Sequence, residues 1–270
     1  MPDLSKYFLI TDLDGTLLPD NKILSDIDKQ AIKRFRNDGG KFSIATGRTL
    51  QAAQKYIDEL KIDMPVIMYN GSLIYDIFNK KSLFTDELPE IAVKIAEELL
   101  EFIKNPGVEV LRLDNIYVVC NNEYEKEHVE ICGVIPAYMP LNEVPEGGWF
   151  KILFADAPEN INELENILKT KNYPVDFVRS DVKFIEMLPK DSSKGAALKE
   201  YVKLMNFENM KVIAVGDYHN DIEMIETADC GVATANAQQV VKDKADIVLE
   251  KTNSEGAIAE LINRIYAGEI

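Results

Sequence analysis

The sequence predicts an α/β fold, a parallel sheet with helices on both faces into which a separate α+β module is inserted. Three observations predict it. Short apolar strands alternate with amphipathic helices at the start of the chain, and the same alternation resumes at its end. Between them the texture changes to aromatic, alternating strands broken by turns.

In order, Tyr7–Thr11 is an aromatic and β-branched run that stops at Asp12. Ser25 reads as a helix N-cap with Asp28 three residues on, and Ile27, Ala31 and Phe35 recur at helical spacing until Gly39-Gly40. Lys41–Thr46 reads as the next strand, and Leu50, Ala53, Ile57 and Leu60 mark the helix after it. Pro65–Tyr69 reads as a third strand, closed by the turn dipeptide Asn70-Gly71. The middle carries strand regions Val108–Cys120, Phe150–Phe154 and Val182–Met187 and helical stretches Glu90–Phe102 and Asn160–Lys169. Turns fall at Asn105-Pro106-Gly107 and Glu146-Gly147-Gly148. In the last part, Ala197, Tyr201 and Met205 line a helix, Lys211–Gly216 is a nearly all-apolar strand, and Cys230–Thr234 and Ala245–Leu249 follow. Ile258, Leu261, Ile262 and Ile265 give the final helix. Strands this uniformly apolar are buried on both faces.

Composition removes several function classes. The 270 residues are 46% apolar and 28% charged, enough for a large core without disulfide staples. Thirty basic residues against 46 acidic ones give a net charge of −16, which repels a polyanion and excludes nucleic acid as a partner. The longest apolar runs, such as Val212–Val215 and Ile152–Ala155, fall far short of the ~20 residues a membrane helix needs. Phe8-Leu9-Ile10 is too short for the core of a secretory signal, and no membrane partner is expected. Cys120, Cys132 and Cys230 are an odd set at wide spacings, which points to a reducing, cytoplasmic setting. With only His128 and His219, a histidine-rich zinc site is excluded, and His128 in its charged stretch reads as a solvated helix residue. Oligomeric state is left open by the sequence.

The chemistry falls at strand ends. Asp12-Leu13-Asp14-Gly15-Thr16 follows the first strand directly, where ligand sites of open parallel sheets lie. Two carboxylates ~4 Å apart at an effective dielectric near 20 repel by about 4 kcal/mol, so the pair calls for a cation or a shared proton. Read alone, the pair is also compatible with a solvated loop. Thr46-Gly47-Arg48 ends the second strand and opens a helix, offering a hydroxyl and backbone N–H groups to an anion; Thr46 could equally be a simple helix cap. Ser192-Ser193-Lys194-Gly195 puts a lysine in the first turn of a helix, against the helix dipole, which suggests an anionic partner for Lys194. Gly216-Asp217-Tyr218-His219-Asn220-Asp221 ends the most apolar strand with two more acids, placed to complete an oxygen-ligand metal site.

Together these residues resemble the haloacid dehalogenase superfamily, whose signature runs Asp-x-Asp-x-Thr, Ser/Thr, Lys and Gly-Asp-x-x-x-Asp. More narrowly the chain resembles the Cof-type sugar-phosphatase branch: Asp12–Leu17, Thr46–Arg48, Asn70-Gly71, Ser193–Gly195 and Gly216–Asp221 occur in its order. Tyr218-His219 departs from the small or polar pair many relatives carry. The resemblance spans essentially the whole chain and implies a Rossmann-like doubly wound core over 1–80 and 190–270, with an inserted α+β cap over 81–189.

It also implies a Mg²⁺-dependent phosphatase of small phosphorylated metabolites, sugar phosphates above all. Asp12 would be the nucleophile, forming an aspartyl phosphate, and Asp14 the general acid and then base. Mg²⁺ would sit on the Asp12 and Asp217 carboxylates and the Asp14 carbonyl, while Thr46, Gly47, Lys194 and Asn220 hold the phosphate. Asp221 is expected to orient Lys194 or a metal-bound water. Arg48 is read as structural, and Arg112, Tyr117, Trp149 and Lys151 are candidate substrate contacts on the cap. Two alternatives remain: a phosphosugar mutase of the same superfamily, and a non-catalytic sensor that binds a phosphorylated metabolite.

Overall fold

The computed structural model describes residues 2–270. In chain order its strands are β1 (Tyr7–Thr11), β2 (Lys41–Ile44), β3 (Val66–Met68), β4 (Leu73–Asp76), β5 (Lys81–Thr85), β6 (Gly107–Arg112), β7 (Ile116–Cys120), β8 (Ala137–Tyr138), β9 (Trp149–Ala155), β10 (Val175–Asp181), β11 (Phe184–Pro189), β12 (Lys211–Gly216), β13 (Cys230–Ala233) and β14 (Ile247–Val248). The helices are α1 (Asp26–Asn37), α2 (Leu50–Leu60), α3 (Ile91–Leu100), α4 (Glu123–Cys132), α5 (Pro158–Leu168), α6 (Lys194–Met205), α7 (Ile222–Thr227), α8 (Gln239–Lys242) and α9 (Ala257–Ala267). The chain divides into two compact units. One takes the residues up to Gly47, Lys55–Phe84 and Ser193–Ile270; the other takes Arg48–Gln54 and Thr85–Ser192.

The first unit is α/β. Its five-stranded sheet runs β14-β13-β12-β1-β2, and every pairing is parallel. Alternation along β1 sends Phe8 and Ile10 to one face and Leu9 to the other, and all three are fully buried. Each such side chain contributes about 1.5–3 kcal/mol of burial. On one face Phe8 stacks on Tyr201 of α6 at 5.0 Å between ring centroids, within a cluster that includes Leu198, Ala214 and Met224. Among the other elements α1 packs on α9. Ser25 caps α1 by accepting from the Asp28 N–H at 3.1 Å, and Asp28 Oδ1 in turn accepts from the Ala259 N–H at 2.7 Å, joining the two helices. A smaller sheet, β3-β4-β5, continues from β2 through the Ala45–Ile67 bridge. Because β5 joins β4, Lys81–Phe84 belong with this unit, a few residues later than the expected boundary at 80.

The second unit is a six-stranded sheet ordered β10-β11-β9-β6-β7-β8, antiparallel except for the β7–β8 pair. One face is covered by Ile95, Leu99, Ile161 and Leu164 of α3 and α5, packed on Val108, Val110, Ile152, Phe154 and Met187. The stretch Val108–Cys120 is two strands: the chain reverses at Leu113–Asn115, where Arg112 N donates to Asn115 O at 3.0 Å. The region expected at Val182–Met187 starts at Phe184, and β10 before it is an additional edge strand.

His128 is not a solvated helix residue. Glu109 points away from Val108 and Val110, toward α4, and His128 Nδ1 lies 2.8 Å from its Oε1. The charged look of Glu123–Glu130 hid this, because the covered side of α4 is itself polar, with Glu125 and His128 on it. Burial alone would lower the His128 pKa, but Glu109 and the Cys132 sulfur outweigh it and hold the ring up to about 10. Glu125, fully buried with both carboxylate oxygens unpartnered, is pushed up to about 7 by burial and by Glu109.

Candidate active site

Strand order reverses direction at β1: β2 lies on one side and β12, β13 and β14 on the other. The crevice beyond the carboxyl ends of β1 and β12 is therefore where such a sheet leaves room for a ligand. Thr11 is in register with Val215, and Asp12 N donates to Val215 O at 2.9 Å, so Asp12 leaves the sheet beside Gly216 and Asp217. Carboxylate oxygens of Asp12, Asp217 and Asp221 lie within 4.8 Å of one another.

Lys194 is the counter-ion. Ser193 caps α6 by accepting from the Ala196 N–H, which fixes the first turn and aims Lys194 inward. Its Nζ donates to Asp12 Oδ1 at 2.6 Å and to Asp221 Oδ1 at 2.7 Å, at 1% side-chain exposure. Those carboxylates are the anionic partners its unfavourable place on the helix dipole calls for. Burial by itself would lower the Lys194 pKa, but Asp12 and Asp221 hold it above its ordinary value. The second oxygen of Asp221 accepts from the N–H groups of Asp217 and Tyr218, at 2.9 and 3.1 Å.

Three carboxylates against one ammonium leave excess negative charge. Burial pushes the Asp12 pKa well up, against the pull of Lys194, and Asp221, Asp217 and Asp14 raise it further. Asp217 is raised to about 6 by burial, opposed by the Thr16 hydroxyl and reinforced by Asp221. Such a site is relieved by a cation, and a donor set made only of oxygens suits a hard divalent ion.

The loop after β1 is built to approach Asp217. Gly15 has φ +86°, and a Cβ there would lie 2.3 Å from Asp217 Oδ2. Thr16 Oγ1 donates to Asp217 Oδ1 at 2.6 Å. Asp14 is placed differently from the acidic trio: its side chain is about one-third exposed and ion-pairs with Lys22 at 2.7 Å. Lys22, Thr16, Asn236 (Nδ2 to Gly15 O, 2.7 Å) and Asn253 (Nδ2 to Leu18 O, 2.9 Å) hold this loop, and spacing gave no sign of Lys22, Asn236 or Asn253.

Thr46 and Gly47 follow β2 at the same edge, with Thr46 N donating to Ile67 O and Asn70 N to Thr46 O. Thr46 is buried but does not cap the next helix, since α2 begins at Leu50 and Thr49 accepts from the Ala52 N–H. Asn70, at φ +58°, accepts from Asn220 Nδ2 at 3.0 Å, and a Cβ on Gly47 would meet the same Asn70 oxygen at 2.6 Å. Asn220 thus stands beside Thr46-Gly47 through Asn70.

Arg48 Nη1 reaches Ala52 O at 3.4 Å. In the second unit, Arg112 donates to Asp114 and to the carbonyls of Pro145 and Gly147, and Trp149 Nε1 donates to Pro145 O at 2.8 Å. Tyr117 donates to Asp114, and Lys151 pairs with Glu186 at 2.9 Å, both nearly fully buried. These four side chains hold the second unit's own loop and sheet.

A family model described as haloacid dehalogenase-like hydrolase matches residues 9–262. The chain is 29% identical to the 5-amino-6-(5-phospho-D-ribitylamino)uracil phosphatase YcsE of Bacillus subtilis (strain 168), over 96% of each chain. It is 29% identical to the pyridoxal phosphate phosphatase YbhA of Escherichia coli (strain K12), covering 93% of this chain and 95% of that one. The crystal structure of TM0651 from Thermotoga maritima superposes with a TM-score of 0.84 at 29% identity, over 95% of this chain and 96% of that one.

Proposed function

Because the chain belongs to the haloacid dehalogenase-like hydrolases and is a phosphatase by class, we propose that it hydrolyses small phosphate monoesters, sugar phosphates among them, through a phosphorylated Asp12. The observation that carries this reading is the cluster of Asp12, Asp217 and Asp221, in which the buried Lys194 ammonium pairs with Asp12 and Asp221. The relatives YcsE and YbhA are named for small phosphorylated metabolites, which supports the substrate class.

Asp12 Oδ1 is held by Lys194, which leaves Oδ2 to attack phosphorus. An O–P bond forms to Asp12 as the bond to the ester oxygen breaks, and that oxygen takes the proton of the Asp14 carboxylic acid. In the second half, water attacks the phosphorus and gives its proton to the Asp14 carboxylate, and the bond to Asp12 breaks to release inorganic phosphate. The Asp12 and Asp217 carboxylates and the Asp14 carbonyl would hold Mg²⁺, which would supply the positive charge that lets a carboxylate approach a phosphate dianion. Lys194 adds a further charge, and Thr46, the Gly47 N–H and Asn220 take the remaining phosphate oxygens. Asp221 positions Lys194. Lys22 pairs with Asp14 at 2.7 Å, a contact that Asp14 gives up when it acts as the acid. The inserted unit serves as the cap that selects the substrate.

The test is phosphate release with Mg²⁺ from a panel of sugar phosphates and other phosphometabolites, with wild type beside Asp12→Asn. Release by wild type alone is expected. Equal release by Asp12→Asn would overturn the covalent route, and silence of the wild type across the panel would overturn the phosphatase reading.

A further inference from the structure

The first unit has a second cleft, far along the sheet from Asp12, with the opposite electrostatic character. It runs between α1 and the end of α2, at the amino end of β2, and encloses about 500 Å³, the size range of small-molecule sites. Lys41 opens β2 at this cleft, whereas Thr46 and Gly47 follow the other end of the same strand.

Its walls are fixed by ion pairs. Lys29 bridges Asp26 and Glu59, each at 2.9 Å, and Arg36 pairs with Asp63 at 2.8 Å while donating to Leu60 O. These contacts use all three carboxylates lining the cleft. The remaining cations, Lys33, Lys41 and Lys61, have no ion-pair partner among the described residues, and all three are exposed. Five cations thus face three acids in a chain whose net charge is −16.

We propose that this cleft is a metal-independent binding site for an organic polyphosphate of nucleotide size. A compact, rotatable ammonium suits phosphate oxygens, and three converging on one cleft suit a ligand with several of them. Half-buried Met64 and the edge of Leu60 supply an apolar wall for the organic body. The acidic cluster at Asp12 cannot take the same ligand unaided, because without a bound cation its excess negative charge repels it. The cleft needs no metal, and its occupation does not depend on turnover.

The experiment is calorimetric titration with ATP in EDTA at low salt, on wild type and on the triple variant Lys33→Ser/Lys41→Ser/Lys61→Ser, with adenosine as the uncharged control. Wild type is expected to bind ATP and not adenosine, with affinity that falls as salt rises. The triple variant is expected to bind at least tenfold more weakly. Should the triple variant misfold, Lys33→Glu alone, an exposed change on α1, is expected to weaken binding severalfold. No ATP binding by wild type, equal binding of adenosine, or unchanged affinity in the folded variants would overturn the proposal.

Discussion

Lys194 and Asp12 are 182 residues apart in the chain and 2.6 Å apart in space, with the lysine completely buried. Removing one partner of a buried ion pair costs about 3–5 kcal/mol because the other is left uncompensated, and here two carboxylates share the lysine. Lys194→Met is therefore expected to lower the melting temperature and to cut phosphate release by at least roughly a hundredfold. Thermal unfolding beside a phosphate-release assay checks both. A variant that melts with the wild type would show that the ammonium is not the counter-ion of Asp12 and Asp221.

Asp12→Asn should behave in the opposite way toward stability. It removes one of three crowded carboxylates whose burial disfavours charge, so without metal the variant is expected to melt at or above wild type while turnover disappears. Calorimetry in EDTA reads the first half; a marked loss of stability would contradict the electrostatic account.

Gly15→Ala tests the close approach of the loop to Asp217. The substitution adds an atom 2.3 Å from Asp217 Oδ2 at a backbone angle that favours glycine, a strain of roughly 1–3 kcal/mol. Weakened Mg²⁺ activation is expected together with a lower melting temperature. Unchanged Mg²⁺ dependence would mean that this loop does not set the position of Asp217.

Asp217, raised to about 6, must lose its proton before it can serve as a metal ligand. Mg²⁺ affinity is expected to fall as pH drops below about 6. The rise in melting temperature on adding Mg²⁺ should be large at pH 8 and small at pH 5. An equal rise at both would argue against Asp217 as a ligand.

The second unit should lose stability as pH rises. Glu125 keeps its proton in the folded state up to about 7, whereas in the unfolded chain it is lost near 4.5, so its contribution is complete below 4.5 and gone above about 7. His128 holds its proton to about 10 against 6.5 unfolded, so its contribution is complete below 6.5 and lost as pH climbs to 10. Glu125→Gln is expected to flatten the lower window and leave the upper one. A pH-independent unfolding free energy between 5 and 9 would refute both the burial of a protonated Glu125 and the pairing of His128 with Glu109.

The core was legible because its strands are buried on both faces and read as unbroken apolar runs, each ending in a polar residue at the same edge. Asp12, Thr46 and Asp217 stand at such junctions, so their meeting follows from the strand pattern; Lys194 instead opens α6 after β11, a strand of the other sheet, and its place was legible only from its position in the first turn of a helix. Residues that act across the chain left no local trace. Lys22 reaches Asp14 only because the loop turns back, and Asn236 meets Gly15 from 221 positions away. The Leu113–Asn115 reversal was hidden by apolar residues on both sides of it. β10 was hidden because, at a sheet edge, its burial is uneven and its alternation weak.

The pairing of β1 with β12 has a consequence for how the protein is made. Tyr7 meets Lys211, so β1, an interior strand synthesised before β12, waits for its second neighbour until about 200 further residues have left the ribosome. At about 5–20 residues per second that is roughly 10–40 s, during which one long edge of an apolar strand stands open. The intervening sheet, from Thr85 to Ser192, is nearly contiguous in sequence and can close in that interval. Nascent chains are thus most prone to aggregate just before Lys211–Gly216 emerges, and a chaperone that shields Phe8–Ile10 over that window would raise the yield of native protein.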